Sequence, residues 1–279
     1  GIFGLVIMSS GFKETGEAGK KLEDRIREEA SKFDGMRIIG PNCLGFIVPG
    51  SRLNVSFASG MPKAGNVAFI SQSGALCTSV LDWAMEGKVG FSYFVSIGNT
   101  LDVDFGTLID YFGQDEATRS IILYIESITR AQKFMTAARA FARSKPIIAY
   151  KAGRFPESAE AAASHTGAMA SADAVYDAAF QRVGLARVYD IGDIFDCVEL
   201  IGGDRMPSGE RLGIVTNAGG PGVMATDSLI AANGVLARLS DKTIEKLDQK
   251  LPPAWSHRNP VDVLGDANAK RLARATKIV

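Results

Sequence analysis

Short apolar runs rich in β-branched residues alternate along the chain with longer amphipathic stretches, and this alternation restricts the fold more than any other feature. Gly4 to Ser9 and Asn66 to Ile70 are two such runs, and Glu17 to Phe33 has the charged face of a surface helix. Strands that alternate with helices build a mostly parallel sheet with helices packed on its faces. The sequence therefore predicts an α/β fold.

The remaining elements follow the same alternation. Further strands are predicted at 36–39, 91–96, 121–126, 146–150, 186–188 and 211–216, and helices at 104–112, 131–143, 173–181 and 191–201. One more helix is predicted to begin at about residue 75, and another to end at about residue 232. Pro, Gly and Ser are frequent in Pro49 to Gly65, which predicts a domain boundary, and Gly202 to Glu210 predicts a linker. The predicted domains are therefore residues 1–60, 64–205 and 210–279. Both termini fall inside predicted elements, so we expect a piece of a longer chain.

Composition excludes several classes of protein. Lys plus Arg number 31 and Asp plus Glu number 31, so the formal net charge is zero. A chain with this balance is not expected to bind nucleic acid or a membrane surface. No apolar run approaches the roughly 18 residues that cross a bilayer. Three widely spaced cysteines without a CxxC pair predict a reducing, cytoplasmic location. With only two histidines, a histidine-based metal site is not expected.

Two predicted turns between a strand and a helix suit an anion. The N–H groups and the positive end of a helix meet at such a point. One turn contains Ser71, Gln72, Ser73 and Gly74, and the other contains Asn217, Gly219, Gly220 and Gly222. Neither matches GxGxxG or GxxxxGK[ST], which disfavours a nicotinamide oxidoreductase or a P-loop protein. Both remain open to a second interpretation, as ordinary glycine turns of a doubly wound sheet.

His165 lies among small residues, between Ser164 and Thr166. A neutral imidazole is a good nucleophile near neutral pH, so one hypothesis is that His165 carries a phosphoryl group. Glu126 ends a predicted strand, where a carboxylate can orient an imidazole ring. A surface-loop histidine and a carboxylate that caps the next helix are the alternatives. For Cys43, no neighbouring cation lowers the thiol pKa, which favours a small, partly buried side chain.

Four motifs in order make the chain resemble one family: GPNCLG at 40–45, SQSGAL at 71–76, SHTG at 164–167 and NAGGPG at 217–222. They resemble acyl-CoA synthetases that form a nucleoside diphosphate, the superfamily of succinyl-CoA synthetase and ADP-forming acetate–CoA ligase. The resemblance extends over essentially the whole chain. It implies the end of a Rossmann-like CoA-binding domain followed by flavodoxin-like, doubly wound parallel-sheet ligase domains.

The resemblance also implies roles for individual residues. His165 is expected to be the phosphohistidine and Glu126 the carboxylate that orients it, while the two glycine turns are expected to hold the phosphoryl group. Residues expected near coenzyme A are Ser10, Gly11, Phe12, Pro41, Asn42 and Cys43, and those expected at the acyl phosphate are Gly98, Asn99, Ser164, Thr166 and Gly167.

In this family, phosphate attacks an acyl-CoA thioester, the histidine takes the phosphoryl group from the acyl phosphate, and ADP becomes ATP. The resemblance implies that an ATP-grasp domain with its Mg²⁺ lies outside the sequence, in the same chain or in another subunit, and that the protein is oligomeric. Bacterial members fused to an N-acetyltransferase are the most similar in pattern. A non-catalytic acyl-CoA-binding regulatory module of a lysine acetyltransferase is therefore the alternative function.

Overall fold

The computed structural model describes residues 2–279 except 88, 156, 159–172 and 203–208. Two compact units make up the chain, Gly1–Arg205 and Met206–Val279. The elements of the first unit, in chain order, are β1 Gly4–Val6, α1 Glu17–Ala30, β2 Arg37–Ile39, β3 Gly45–Val48, β4 Leu53–Ser56, β5 Lys63–Ser71, α2 Gly74–Gly87, β6 Gly90–Ser96, α3 Phe105–Gln114, β7 Ser120–Ile125, α4 Ala131–Phe141, β8 Ile147–Lys151, α5 Asp173–Val183, β9 Ala186–Val188 and α6 Ile191–Gly202.

A seven-stranded sheet forms the centre of the first unit within the described residues, in the order β4-β3-β6-β5-β7-β8-β9. The five strands from β6 to β9 are parallel. Numbered along the chain, their order is 2-1-3-4-5, the flavodoxin-like doubly wound arrangement. The predicted α/β fold with a flavodoxin-like sheet is therefore confirmed.

One edge of the sheet is antiparallel, which the prediction of a parallel sheet missed. β3 pairs with β6 and with β4 in antiparallel register. Both strands precede β5, and β4 lies in the Pro- and Gly-rich segment where the sequence predicts a domain boundary. The first compact unit runs through this segment without a break. The division into 1–60, 64–205 and 210–279 stays a prediction from the sequence.

Alternating side chains of the parallel strands build two apolar layers. Ala68 and Ile70 of β5 pack with α3, α4 and α5 on one face. Val67 and Phe69 of the same strand pack with α2 and α6 on the other face. A strand covered on both faces needs apolar residues at consecutive positions, which explains why the strand segments appear as continuous apolar runs in the sequence.

The first strand differs from its prediction. Gly4 to Ser9 was expected to be a buried strand, but β1 ends at Val6 and pairs with β2 alone among the described strands. Leu5 at its centre is 40% exposed. An apolar sequence of this kind is equally compatible with a short strand that is covered on one side only, because the pattern does not report how many neighbours a strand has.

The second unit contains β10 Arg211–Leu212, β11 Val215–Thr216, α7 Gly219–Ala231, β12 Val235–Leu236, α8 Asp241–Asp248, β13 Val261–Asp262 and α9 Ala269–Ile278. The single strand predicted at 211–216 is wrong, because β10 pairs with β12 and β11 pairs with β13. The Asn259 side chain binds the backbone at the break between β10 and β11. It accepts from the Ile214 N–H at 2.9 Å and donates to the Leu212 carbonyl at 2.9 Å.

Candidate functional site

A cavity of about 650 Å³ opens at the carboxyl ends of the parallel strands of the first unit. After β5 the chain turns into α2 on one face of the sheet, and after β7 it turns into α4 on the other face. The two chains leave neighbouring strands in opposite directions, which is the arrangement that opens a ligand crevice in a doubly wound sheet. Residues Gln72 to Ala75 and Glu126 to Ser127 line it from these two strands.

Many of the predicted site residues meet in this cavity. Those that line it are Ser10, Asn42, Cys43, Gln72, Ser73, Gly74, Gly98, Asn99 and Glu126. Gly11, Phe12, Pro41 and Ser71 belong to the same turns but are not part of its wall. Further lining residues that were not predicted from the sequence are Met8, Lys13, Glu14, Leu44, Phe57, Ala75, Thr78, Ser127 and Thr129.

Side-chain hydroxyls close the turn that leads from β5 into α2. The Ser71 hydroxyl accepts from the Ser73 N–H at 3.0 Å and donates to the Ser73 carbonyl at 3.0 Å. The Ser73 hydroxyl accepts from the Leu76 N–H at 3.2 Å and so caps the helix. The N–H groups of Gly74 and Ala75 have no acceptor within the helix, and both residues line the cavity. The positive end of α2 therefore faces the cavity.

Gln72 ties the turn after β5 to the end of β7. Its side-chain carbonyl accepts from the N–H groups of Glu126 at 2.7 Å and Ser127 at 2.9 Å. These bonds fix the backbone that carries the Glu126 carboxyl group. Burial, followed by the charge of Glu126, raises the pKa of Tyr124 to about 12. The N-cap position of α4 is Arg130 rather than Glu126, and the role of the Glu126 carboxylate stays a prediction from the sequence.

The turn at residues 41–43 packs tightly against Gly98. The Asn99 N–H donates to the Pro41 carbonyl at 2.9 Å. Gly98 has φ = +51°, and a Cβ atom there would lie 2.2 Å from the carbonyl oxygens of both Pro41 and Asn42. Glycine is required at this position by conformation and by space. Burial raises the pKa of Cys43 to about 11, which keeps its sulfur in the unreactive thiol form.

A network of polar side chains joins residues 11–14 to the loop after β6. Glu14 Oε1 accepts from the N–H groups of Gly11 at 2.6 Å and Phe12 at 3.1 Å, and its Oε2 accepts from Asn99 Nδ2 at 2.6 Å. Burial opposes ionisation, but the hydrogen bond from Asn99 and those from the backbone outweigh it and lower the pKa of Glu14. Burial lowers the pKa of Lys13, whose ammonium group donates to the Asn99 carbonyl.

Comparison with protein families identifies the sheet that carries this cavity. Residues 64–201 match the succinyl-CoA ligase like flavodoxin domain. Over these residues the chain is similar to that domain, and its sheet is flavodoxin-like. Its strand order and the position of its cavity fit that assignment, since the cavity lies where the order of this domain's parallel strands reverses.

The similarity to known proteins extends beyond the flavodoxin domain. The chain is homologous to the alpha subunit of ADP-forming acetate–CoA ligase II of Pyrococcus furiosus, with 41% identity over 279 residues, which are 100% of this chain and 60% of the relative. It is 36% identical over 275 residues to the ADP-forming 4-hydroxybutyrate–CoA ligase of Nitrosopumilus maritimus, covering 97% of this chain and 39% of that enzyme. The chain thus spans less than two thirds of each relative.

A solved structure gives the same result for the fold. The dinucleotide-forming acetyl-coenzyme A synthetase 1 of Ca. Korarchaeum cryptofilum, in complex with phosphate and ADP, superposes with a TM-score of 0.93. The sequence identity is 37%, and the alignment covers 99% of this chain and 59% of that chain. The similarity therefore includes the β1–β2 region and the second unit as well as the flavodoxin domain.

The second unit repeats the hydroxyl-closed turn of the flavodoxin domain. The Thr216 hydroxyl accepts from the Ala218 N–H at 3.2 Å and donates to the Ala218 carbonyl at 2.9 Å, as Ser71 does with Ser73. Gly222 is buried in the first turn of α7, and a Cβ atom there would lie 3.1 Å from Thr216. The predicted residues Asn217, Gly219, Gly220 and Gly222 all belong to this turn and the helix that follows it.

Some predictions lie outside the described part of the chain. Ser164, His165, Thr166 and Gly167 are among the residues that the structure does not describe. Within the described ranges, no helix is both long enough and apolar enough to cross a membrane. The same ranges contain no group of three or more His, Cys, Asp or Glu side chains that is arranged to hold a metal ion.

Proposed function

We propose that the chain is the CoA-binding and phosphohistidine part of an NDP-forming acyl-CoA synthetase, an acid–thiol ligase. The whole enzyme would interconvert acyl-CoA, ADP and phosphate with a carboxylic acid, CoA and ATP. The observation that carries the proposal is the composition of the cavity wall. The wall contains the amino end of α2, Glu126 directly after β7, and residues of the 10–14 and 41–43 turns. The homology to ADP-forming acetate–CoA ligases supports it.

The cavity supplies groups suited to each partner of the reaction. The amino end of α2 provides N–H groups for a phosphate or an acyl phosphate. Ser10 and Asn42 also line the cavity, and we propose that the thioester end of an acyl-CoA molecule enters beside them. The hydrogen bonds that fix the backbone of Glu126 suit a carboxylate that orients the ring of His165.

The chemistry follows in two displacements within this chain. A phosphate oxygen attacks the thioester carbonyl, the C–S bond breaks, and CoA leaves as the thiol. An unprotonated ring nitrogen of His165 then attacks the phosphorus of the acyl phosphate, and the carboxylate leaves with the electrons of the P–O bond. The helix dipole at α2 would stabilise the added negative charge. Transfer from the phosphohistidine to ADP completes the cycle.

The last transfer needs partners that this sequence does not supply. In the described part of the chain no side-chain cluster fits Mg²⁺, so we assign the metal and ADP to an ATP-grasp domain in the same chain or in a separate subunit. A fused N-acetyltransferase domain, an oligomeric assembly and a cytosolic location remain proposals from the sequence. The relatives named above are ligases, which favours catalysis over a non-catalytic acyl-CoA-binding module.

Labelling of the full-length protein, together with its ATP-grasp part, tests the proposal. After incubation with γ-³²P-ATP and Mg²⁺, we expect an acid-labile, base-stable label that His165→Ala abolishes. His257→Ala is the matched control, because His257 is the other histidine of the sequence, and its ring nitrogens already contact the Pro253 carbonyl and the Asp248 carboxylate, each at 2.9 Å. A wild-type protein that binds CoA but takes up no label would instead be the non-catalytic module.

A further inference from the structure

Two side-chain bridges connect the β1–β2 region to the loop that follows β6. One joins Glu14 to Asn99 and lies in the wall of the cavity. The other joins Arg37 on β2 to Asp102, with distances of 2.8 and 3.3 Å between the guanidinium nitrogens and the carboxylate oxygens. Arg37 and Asp102 are not part of the cavity wall. The same two parts of the fold are thus connected both at the cavity and, through a separate ion pair, away from it.

The Asn99 amide has its hydrogen-bonding capacity taken up by protein. Its Nδ2 donates to Glu14 at 2.6 Å and to Glu23 at 3.1 Å, and its Oδ1 accepts from Asn42 at 3.3 Å. Asn99 is 7% exposed and Glu23 is 3% exposed. An amide has two N–H donors, and both are used here. Its geometry is therefore that of a side chain that holds other groups in place rather than one that binds substrate.

Glu14 fixes the turn that faces the cavity. Its Oε1 accepts from the consecutive N–H groups of Gly11 and Phe12, and Gly11 has φ = +104°. These bonds set the direction of the turn, and the neighbouring Ser10 lines the cavity. Because Oε2 binds Asn99, the turn is held directly against the carboxyl end of β6.

We propose that Glu14 and Asn99 are positioning residues, which hold the Ser10–Phe12 turn against the flavodoxin domain and so set where the thioester end of an acyl-CoA meets the amino end of α2. The inference rests on the proposed function, and it revises the role that the resemblance implies for Asn99. It makes Asn99 a support for the CoA side of the cavity instead of a ligand of the acyl phosphate.

The charges around Asn99 explain why an amide is needed there. Glu14 and Glu23 both direct a carboxylate oxygen at Nδ2. Aspartate has the same shape as asparagine, but it would place a third acceptor against these two and leave their hydrogen bonds unmade. The Lys13 ammonium group lies 4.0 Å from Glu23 and donates to the Asn99 main-chain carbonyl, so it does not replace the lost donors.

The test separates the CoA-dependent step from phosphorylation of His165 by ATP. In the full-length enzyme with its ATP-grasp part, we expect Glu14→Ala and Asn99→Asp to raise the KM for CoA about tenfold or more. The extent of ³²P-labelling of His165 from ATP should stay at the wild-type level, because that half-reaction does not involve CoA. Glu14→Gln combined with Asn99→Asp should recover part of the loss, since the introduced amide can donate to the introduced carboxylate.

Arg37→Ala is the matched control, because it cuts the other bridge between the same two regions. It should lower thermal stability without changing the KM for CoA. A wild-type KM in Glu14→Ala, or an equal rise in Arg37→Ala, would overturn the inference while leaving the phosphohistidine intact. Absence of label in the wild-type enzyme would overturn the proposed function itself. If Asn99→Asp does not fold, the partly exposed Glu14→Ala and Glu14→Gln decide the question through the same two readouts.

Discussion

Two replacements of Gln72 test separately what its hydrogen bonds contribute to stability and what a negative charge at its position does to phosphate binding. Its side-chain oxygen accepts from two N–H groups, those of Glu126 and Ser127, at 2.7 and 2.9 Å, and Gln72 is 9% exposed. Each such bond contributes about 0.5–1.5 kcal/mol to stability, so Gln72→Ala should cost about 2 kcal/mol. For a unit of this size that loss lowers the melting temperature by roughly 4–8 °C.

For Gln72→Glu we expect little change in stability but weaker binding of phosphate. A carboxylate oxygen accepts the same two N–H groups, so stability should stay near that of the wild type. The new negative charge would lie beside Glu126 at the amino end of α2, where we propose that phosphate binds. We therefore expect the KM for phosphate to rise about tenfold or more.

Urea unfolding and steady-state kinetics in the acyl-CoA-consuming direction measure the two effects. Gln114→Ala is the control for stability, because the Gln114 side chain is exposed and donates at 3.2 Å to the Asp110 carbonyl of its own helix. It should change the unfolding free energy by less than about 0.5 kcal/mol. Equal losses in Gln72→Ala and Gln114→Ala would refute the hydrogen-bond reasoning. An unchanged KM for phosphate in Gln72→Glu would refute the placement of the anion.

Two further predictions concern the loop after β6. Gly98→Ala places a Cβ atom 2.2 Å from the Pro41 and Asn42 carbonyl oxygens at φ = +51°, so we expect a loss of about 3 kcal/mol or more in urea unfolding. Burial opposes ionisation of Asp102, but the hydrogen bonds from Arg37 and the Ile38 N–H, together with the charges of Arg37 and Arg130, outweigh it and lower the pKa of Asp102. The pair with Arg37 therefore stabilises the protein above the ordinary carboxyl pKa, and the contribution is lost as the pH falls through the lowered value. Because the pair is partly exposed, Arg37→Ala should lower the free energy of unfolding by less than about 1 kcal/mol at pH 7. The loss should be smaller still at pH 3, and an equal loss at both pH values would contradict this prediction.

The part of the cavity that lies at the carboxyl ends of the parallel strands could be predicted from the sequence. Ser71 to Gly74, Gly98 to Asn99 and Glu126 each follow an apolar run, and such runs in an α/β chain end at one edge of the sheet. Adjacency of these segments therefore follows from the alternation alone. The roles of the individual side chains at that edge do not follow from it.

The parts that the sequence did not reveal depend on contacts between distant segments. Glu14 meets Asn99 across 85 positions, and neither residue type carries a pattern that marks the contact. β3 and β4 are short, and the Pro49–Ser51 turn between them belongs to a segment whose composition resembles a linker. Pairing of β3 with β6, and of β4 with β3, stabilises the two segments as strands.

Neutral amides hold together the loops around the cavity, and this choice suits the reversible phosphoryl transfer that we propose for it. Gln72 joins the ends of β5 and β7, and Asn99 joins the end of β6 to residues 11–14 and to Asn42. Lys13, a cation of the wall, already has Glu23 within 4.0 Å. The attraction for an anion then comes mainly from the amino end of α2, which carries about half an elementary charge. A weaker field of this kind can bind phosphate and still release it to the next acceptor, because binding energy that is the same in the bound state and the transition state does not speed the transfer.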